Sequence, residues 1–257
     1  MAASITPSHN TTPDRTAPDD SRATPPAAVE ITDLAFHWPD SRDFRLAVPH
    51  FSLPQGETCF LLGPSGSGKS TLLSLLAGLM APDSGHIRLT GQSLEQASRH
   101  ARDRFRADHL GLIFQQFNLV PYLSPLANVL LPCQFSRRRR ERAGPKPREQ
   151  ALALLSALGL DPARLPRDVR HLSMGQQQRV AAARALIGAP EIVLADEPTS
   201  ALDQDHRDRF VDLLLGQASA HGASVLFVSH DRSLQQRFTQ QQDIRQWRSD
   251  LPQESPL

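Results

Sequence analysis

The nine residues from Gly63 to Thr71 constrain the fold more than any other part of the chain. Their sequence, GPSGSGKST, follows the apolar run Cys59–Leu62 and leads into the apolar run Leu72–Gly78. A strand before such a loop and a helix after it is the setting in which backbone amides and the positive end of a helix both face an anion. The sequence therefore predicts an α/β fold with a nucleoside-triphosphate site at the end of this strand.

Two side chains of this loop carry the chemistry that a triphosphate requires. Lys69 is predicted to place its charge on the β- and γ-phosphate oxygens, and the Ser70 hydroxyl can bind Mg²⁺. The structural alternative is a plain Gly/Ser-rich turn, but such a turn does not need the glycines, lysine and serine to fall in register. The loop residues expected to contact the nucleotide are Gly63, Pro64, Ser65, Gly66, Ser67, Gly68, Lys69, Ser70 and Thr71.

Composition narrows the class of protein. The formal net charge of +1 over 257 residues argues against binding nucleic acid through charge alone. Cys59 and Cys133 lie in apolar surroundings without metal-ligand or redox spacing, which predicts buried free thiols. No apolar run approaches the roughly 20 residues that span a bilayer, and no secretory signal is apparent. We expect a cytosolic protein that reaches a membrane only through a separate subunit.

The chain divides into three expected regions. Residues 1–28 are rich in Thr, Pro, Ser, Ala and Asp without periodicity, and are predicted to form a disordered leader. Residues 29–240 are predicted to form one folded domain that contains a helical part over about 117–170. Residues 241–257 are predicted to be a polar tail.

Two local patterns refine this division. Alternating apolar positions in Val29–Trp38 and again in Phe44–Val48 predict two strands of a small antiparallel sheet. The basic run at 136–147 contains no interleaved aromatic residues. We interpret it as a solvated loop and first helical turn rather than a patch for nucleic acid or anionic lipid.

Two further apolar strands end in polar side chains. Ile192–Ala195 is followed by Asp196 and Glu197, and Val225–Ser229 is followed by His230. Parallel sheets present ligands at the carboxyl ends of their strands, so Asp196 is predicted to hold Mg²⁺ and Glu197 to accept a proton from the attacking water. His230 is predicted to hydrogen-bond the γ-phosphate. The structural alternatives are a strand-end turn and a histidine that caps it.

A third motif suggests a family. The segment Leu172–Ala181, LSMGQQQRVA, resembles the signature motif of ATP-binding-cassette (ABC) ATPases, and the resemblance covers about residues 29–232. It implies a P-loop NTPase with a RecA-like α/β core, an antiparallel β subdomain and an inserted α-helical subdomain. It also implies ATP hydrolysis, with ATP and Mg²⁺ bound.

The resemblance assigns roles to further residues. Trp38 matches the aromatic residue that stacks on adenine, and a core aromatic is the alternative. Gln115 matches the glutamine that reaches Mg²⁺ and the attacking water, and whose loop contacts the transporter. Ser200–Asp203 matches the loop that bridges two nucleotide sites, so Asp203 is expected to lie near nucleotide. His230 matches the switch histidine.

The signature motif implies that the protein works in pairs. Ser173 and Gly175 match residues that touch the γ-phosphate of a nucleotide held by the opposite subunit, and a helix is expected to start near Gln176. Such an anion site has no phosphate of its own chain to bind. The resemblance therefore implies a head-to-tail homodimer with two ATP molecules at its interface.

Three features depart from the family pattern. Met174 replaces the first glycine of the usual signature pair, and Trp38 stands where tyrosine is commoner. The Gln-rich sequence from Arg232 onward lacks the familiar glycine-containing hairpin after the switch histidine. The effects expected of Met174 are on affinity or dimer closure.

The segments Gly111–Pro121 and Leu126–Pro132 resemble the branch of lipoprotein-releasing and macrolide-efflux ATPases. That branch implies export or extraction through an integral membrane permease, with this subunit at the cytoplasmic face of the inner membrane. A second hypothesis is a regulatory ATPase that controls cell-wall hydrolysis through a membrane partner. A third, an ATPase acting on DNA or ribosomes, predicts a coiled-coil insertion, a zinc module or a second cassette, and the sequence contains none of these.

Overall fold

A computed structural model describes residues 26–39, 44–95, 97–200 and 202–248. The predicted leader lies outside these residues up to position 25, as does the tail from 249. The strands are β1 (Ala27–His37), β2 (Arg45–Pro54), β3 (Thr58–Leu62), β4 (Ser84–Leu89), β5 (Gln92–Ser93), β6 (Leu110–Ile113), β7 (Ile192–Asp196), β8 (Ser224–Ser229) and β9 (Gln240–Asp243). The α-helices are α1 (Lys69–Leu76), α2 (Arg99–His109), α3 (Pro125–Phe135), α4 (Arg137–Arg142), α5 (Pro147–Ala157), α6 (Met174–Leu186) and α7 (Gln204–Ala220).

A five-stranded parallel sheet, in the order β6-β7-β8-β3-β9, forms the centre of the fold. Its inner strands are apolar on both faces because both faces are covered. In β7, Val193 and Ala195 pack on one side with helices α5, α6 and α7, whereas Ile192 and Leu194 pack on the other with α1 and the second sheet. The predicted buried parallel strands are confirmed.

The second sheet is antiparallel, in the order β2-β1-β4-β5. Its register places Ile31 opposite both Phe51 of β2 and Ile87 of β4, so alternate side chains of β1 face the core. The alternation of apolar and polar residues from Val29 onward therefore corresponds to a half-buried strand in the structure. The β-sheet expectation for the first part of the chain is confirmed.

Helices α3, α4 and α5 lie between β6 and β7, within the part of the chain expected to be helical. Asn128 anchors the loop that precedes them: its Oδ1 accepts from the amide of Val120 at 2.8 Å, and its Nδ2 donates to the carbonyl of Val120 at 3.1 Å. Two short 3₁₀ turns, Pro162–Arg164 and Val169–His171, then lead to α6.

The basic run at 136–147 is only partly the solvated loop that we expected. Arg139 is 1% exposed, and its guanidinium donates to the carbonyls of Ile187, Leu110 and Ala185 at 2.6, 3.0 and 2.7 Å. Burial lowers the pKa of Arg139 to about 10. Arg139 therefore satisfies the last carbonyls of α6, which a helix leaves without partners of its own. Sequence reasoning missed it because its neighbours Arg138 and Arg140 look the same in the sequence.

The chain stays ordered beyond residue 240, where we expected the tail to begin. β9 runs parallel to β3 at the sheet edge, with Leu62 opposite Asp243. A 3₁₀ turn, Ile244–Trp247, follows, and both of its terminal side chains are buried. The boundary was misjudged because glutamines on an edge strand give no apolar alternation, while the anchoring residues come after them.

Two smaller observations bear on class. Both cysteines are buried free thiols, as predicted, and burial raises the pKa of Cys59 to about 12. Within the described ranges, none of the helices combines the length and hydropathy that crossing a bilayer requires.

Candidate active site

The topology brings four sequence motifs to one edge of the parallel sheet. β6, β7, β8 and β3 are neighbours and run in the same direction, so their carboxyl ends meet. Gln115 follows the end of β6 by two residues, Asp196 ends β7 and Glu197 follows it, and His230 directly follows β8. The Gly63–Thr71 loop leaves β3 beside them.

The Gly63–Thr71 loop has the backbone of an anion cradle. Gly66 and Gly68 have φ of 77° and 99°, in the left-handed region that a side chain disfavours. Gly68 is the N-cap of α1, and it caps without a side chain, so the positive end of the helix opens toward the loop. Pro64 and Ser65 are exposed at the outer rim, while Ser67 is buried. The geometry suits a phosphate group held by backbone amides.

Lys69 and Glu197 form the electrostatic centre of this edge. The buried Lys69 Nζ donates to the carbonyl oxygens of Gly63 and Pro64, both at 2.7 Å, and lies 3.0 Å from Glu197 Oε1. The other carboxylate oxygen of Glu197 lies 3.0 Å from His230 Nδ1. The carboxylate predicted to act as base is therefore held between the two side chains predicted to meet the γ-phosphate, those of Lys69 and His230.

Glu197 reaches this position through an unusual backbone. Its φ is 41°, a left-handed value that is uncommon for a residue with a side chain, and its amide donates to the carbonyl of Val228 at 3.0 Å. Strained backbone of this kind persists where the surrounding structure enforces it, and it clusters at active sites.

The residues present fit a magnesium ion completed by nucleotide oxygens. Burial raises the pKa of Asp196 above its usual value, and the charge of Glu197 adds to the rise, whereas the Ser70 hydroxyl bonded to Asp196 and the charge of Lys69 oppose it without cancelling it. A nearby cation would relieve this cost of burying a carboxylate. In the described part of the chain no group of three or more His, Cys, Asp or Glu side chains could hold a metal. One carboxylate and one hydroxyl suit Mg²⁺, which commonly takes its remaining ligands from phosphates and water.

Ser67 provides an independent sign of an anion site. Its Oγ is buried and has no hydrogen-bond partner among the described residues. A buried hydroxyl without a partner is costly, so it calls for a ligand or water. The hydroxyl lies within the loop expected to contact phosphate.

Gln115 is exposed, and a residue that sequence reasoning missed holds its loop. Phe117 and Asn118 both have left-handed backbones, with φ of 58° and 46°. Arg184 of α6 donates to their carbonyl oxygens at 2.6 and 2.7 Å, respectively. The contact joins the helix of the signature motif to the loop of Gln115. Nothing in the sequence distinguishes Arg184 from other arginines of an amphipathic helix.

The signature motif forms the N-terminus of α6, where two of its residues cap the helix by hydrogen-bonding each other. Ser173 is the N-cap of α6: its Oγ accepts from the Gln176 amide at 3.3 Å, and Gln176 Oε1 accepts from the Ser173 amide at 2.9 Å. The helix begins at Met174, two residues before the predicted start, because this capping box orders the first turn. Met174 is 52% exposed. No hydrogen bond or ion pair within the described residues joins Ser173, Gly175 or Gln176 to the phosphate loop.

Trp38 and Asp203 lie in separate elements. Trp38 follows β1 and is 41% exposed, with its ring edge-on to Phe36 at a centroid distance of 5.3 Å. A partly open indole leaves room for a stacking partner. Asp203 caps α7 by accepting from the amide of His206 at 3.0 Å. Ala201, in the expected bridging loop, lies outside the described residues.

Comparisons with known proteins agree with this geometry. A family model described as ABC transporter matches residues 46–200. YbbA of Escherichia coli (strain K12), an uncharacterized ABC transporter ATP-binding protein, is 45% identical over 183 residues, covering 71% of this chain and 78% of the relative. LolD 2 of Rhodospirillum rubrum, an ATP-binding protein of the lipoprotein-releasing system, is 42% identical over 195 residues, covering 76% and 82%.

A solved structure extends the likeness to the whole fold. The dimeric post-hydrolysis state of the ATP-binding cassette MJ0796, bound to ADP and Pi, has a TM-score of 0.72 at 32% identity, covering 84% of this chain and 93% of that chain. The predicted fold and the resemblance that suggested it are both confirmed. The chain belongs to the ABC transporter family, as an ATP-binding subunit that hydrolyses ATP.

Proposed function

We propose that this subunit hydrolyses ATP as a head-to-tail homodimer and thereby drives a membrane permease. The observation that carries the proposal is the position of Ser173. It caps an exposed helix start, and no hydrogen bond of the described structure connects it to the loop of Lys69. An anion site at that helix start needs a phosphate from a second copy. MJ0796, a relative of similar fold, is dimeric.

The residues of the sheet edge then divide the work. Lys69 and the loop amides bind the β- and γ-phosphates, and Ser70 and Asp196 would hold Mg²⁺, which neutralises charge on the phosphate oxygens. Glu197 orients the attacking water and takes its proton. Gln115 helps to position that water, and His230 hydrogen-bonds the γ-phosphate. Each group acts by position and charge, as phosphoryl transfer requires.

The partner subunit completes each site. Ser173, Gly175 and the first turn of α6 at Gln176 would contact the γ-phosphate bound by the other copy, and Asp203 would lie between the two sites. Trp38 would stack on adenine. After hydrolysis the γ-phosphate no longer joins the two faces, and the dimer reopens.

The branch of the family suggests what the dimer drives. LolD 2 belongs to a lipoprotein-releasing system, and it is 42% identical to this chain. We infer that the permease partner extracts or exports its cargo, and that the ATPase dimer lies at the cytoplasmic face of the inner membrane, attached through that partner.

Mixing two inactive variants tests the shared site. Lys69→Ala removes the phosphate-loop cation, and Ser173→Arg blocks the signature. We expect each variant to lack ATPase activity alone and their mixture to recover part of it, because mixed dimers contain one intact site.

The control mixes Lys69→Ala with the double variant Lys69→Ala/Ser173→Arg. Every dimer in this mixture lacks Lys69 at both sites, so the mixture must stay inactive. A mixture of the single variants that remains as inactive as its components would refute the shared site. So would full activity of Ser173→Arg alone.

A separate experiment tests the membrane role. We expect a detergent-solubilised complex to contain an integral membrane subunit whose reconstitution with this chain makes cargo release depend on ATP. Stimulated cell-wall hydrolysis without cargo release would favour the regulatory hypothesis. ATPase activity unaffected by any membrane subunit would contradict both.

A further inference from the structure

The segment after β9 returns to the phosphate loop. β9 pairs with β3, the strand that leads into the loop, and the next residue, Ile244, is fully buried. Ile244 packs so closely on the loop that a Cβ added to Gly63 would lie 2.4 Å from Ile244 Cγ2. The sequence that we had expected to be a tail thus forms one wall of the loop.

Arg248, the last residue that the structure describes, contacts the loop directly. Its Nη1 donates to the carbonyl oxygen of Gly66 at 3.1 Å, and its Cζ lies 4.4 Å from the centre of the Phe44 ring. Phe44 also packs against the loop, since a Cβ added to Gly68 would lie 2.8 Å from Phe44 Cζ. The guanidinium therefore lies between an aromatic ring and the loop backbone.

The surrounding contacts hold Arg248 in this position. Its backbone bridges to Leu46 of β2, and the adjacent Trp247 packs edge-on against Phe51 at 5.4 Å. Arg248 is 9% exposed. A guanidinium over an aromatic face gains a cation–π attraction that strengthens when water is excluded. Packed elements thus present the side chain to Gly66.

Gly66 is a position where such a contact matters. Gly66 has a left-handed φ and lies at the exposed rim of the loop. Because it has no side chain, its backbone can adopt more φ/ψ values than that of any other residue type. A hydrogen bond to its carbonyl oxygen limits that freedom before nucleotide arrives, which lowers the entropic cost of binding. Arg248 also brings a permanent positive charge to the loop.

We propose that Arg248, seated on Phe44, is a positioning residue for the phosphate loop and thereby strengthens the binding of ATP. The proposal rests on the proposed role of Gly63–Thr71 in binding the nucleotide. It assigns to Arg248 no contact with the reacting atoms. The loss of Arg248 therefore weakens nucleotide binding and leaves the chemical step unchanged.

Steady-state kinetics and equilibrium binding of Mg-ATP to the full chain test this assignment. We expect Arg248→Met to raise both KM and Kd about tenfold, the effect of losing one charge-assisted contact, with kcat within about twofold. Arg248→Lys keeps the charge but loses the planar stack, so its KM should rise by roughly threefold. Phe44→Leu should shift KM in the same direction.

Arg245→Met is the matched control. Arg245 lies on the 3₁₀ turn that Arg248 caps, and its guanidinium donates to Asp243, so its substitution should leave KM unchanged. An unchanged KM in folded Arg248→Met overturns the proposal, as does a fall in kcat equal to the fall in kcat/KM. If Arg248→Met does not fold, Arg248→Lys decides, because an unchanged KM there also overturns it.

Failure of the underlying assignment gives a different result. Lys69→Ala should abolish ATP binding whatever the role of Arg248. If Lys69→Ala binds ATP like the unmodified chain, the proposed nucleotide site itself is wrong. That result does not depend on how the Arg248 variants behave, so the two failures can be told apart.

Discussion

Replacing Glu197 with glutamine separates nucleotide binding from chemistry. Glu197 Oε1 lies 3.0 Å from Lys69 Nζ, the cation expected to bind phosphate. At an effective dielectric constant of about 20, two charges at this distance attract by roughly 5 kcal/mol. Glutamine removes that attraction but still accepts a hydrogen bond. We expect about 1.4 kcal/mol of it to appear as tighter ATP binding, which is about tenfold in Kd.

The same substitution removes the proposed base. Loss of a general base typically costs about 10²- to 10⁴-fold, so kcat of Glu197→Gln should fall by at least about a hundredfold. Phosphate release under steady state measures kcat, and titration with fluorescent ATP measures Kd. A kcat within threefold of the unmodified chain, or weaker ATP binding, would refute the reasoning.

Glu191→Gln is a matched control at the opposite end of the same strand. Glu191 precedes β7 and pairs with His109, Arg138 and Arg142. It is far along the strand from the catalytic edge, so the change should lower stability without altering kcat per folded molecule.

Three further predictions follow from other parts of the structure. Arg184→Met should lower kcat about tenfold by releasing the Gln115 loop, since misplaced catalytic groups are costly. Arg179→Met on the same helix loses only one contact to a carbonyl at 3.3 Å, so this control variant should keep its kcat. Equal ATPase rates for the two variants would refute the role of Arg184. Burial alone would raise the pKa of Glu191, but bonds from His109 and Arg138 and the charge of Arg142 hold it at about 2. The stability that Glu191 contributes should therefore be fully present above pH about 4.5 and be lost as pH falls toward 2, and acid unfolding curves of Glu191→Gln that show an undiminished deficit at low pH would contradict this. Met174→Gly should alter ATPase rate or dimerisation, and identical values would show that the departure from the signature is neutral.

The parts of the fold that sequence predicted are those with a local pattern. The phosphate loop needs its glycines and Lys69 in a fixed order, and the strand of Leu194 needs apolar side chains on both faces. Asp196 and His230 could be placed because parallel strands end at one edge. These two side chains lie near Lys69 because β7, β8 and β3 are neighbouring parallel strands whose carboxyl ends meet at one edge of the sheet.

The remaining features depend on contacts between distant residues. Arg139 and Arg184 bind carbonyls on elements far away in sequence, and no local pattern marks the arginine that will be buried. The return of Arg248 to the loop follows a glutamine-rich strand whose partner, β3, lies some 180 residues earlier. Helix α6 starts at Met174, earlier than the predicted start near Gln176, because the Ser173 side-chain cap rather than helix propensity determines where it begins.

The sedimentation of Glu197→Gln with saturating ATP and Mg²⁺ tests the central claim most directly. The 28.3 kDa chain should sediment as a dimer under these conditions and as a monomer when Lys69 is also replaced by alanine. A species that remains monomeric at saturating ATP, with nucleotide shown to be bound, would contradict a site shared between two copies.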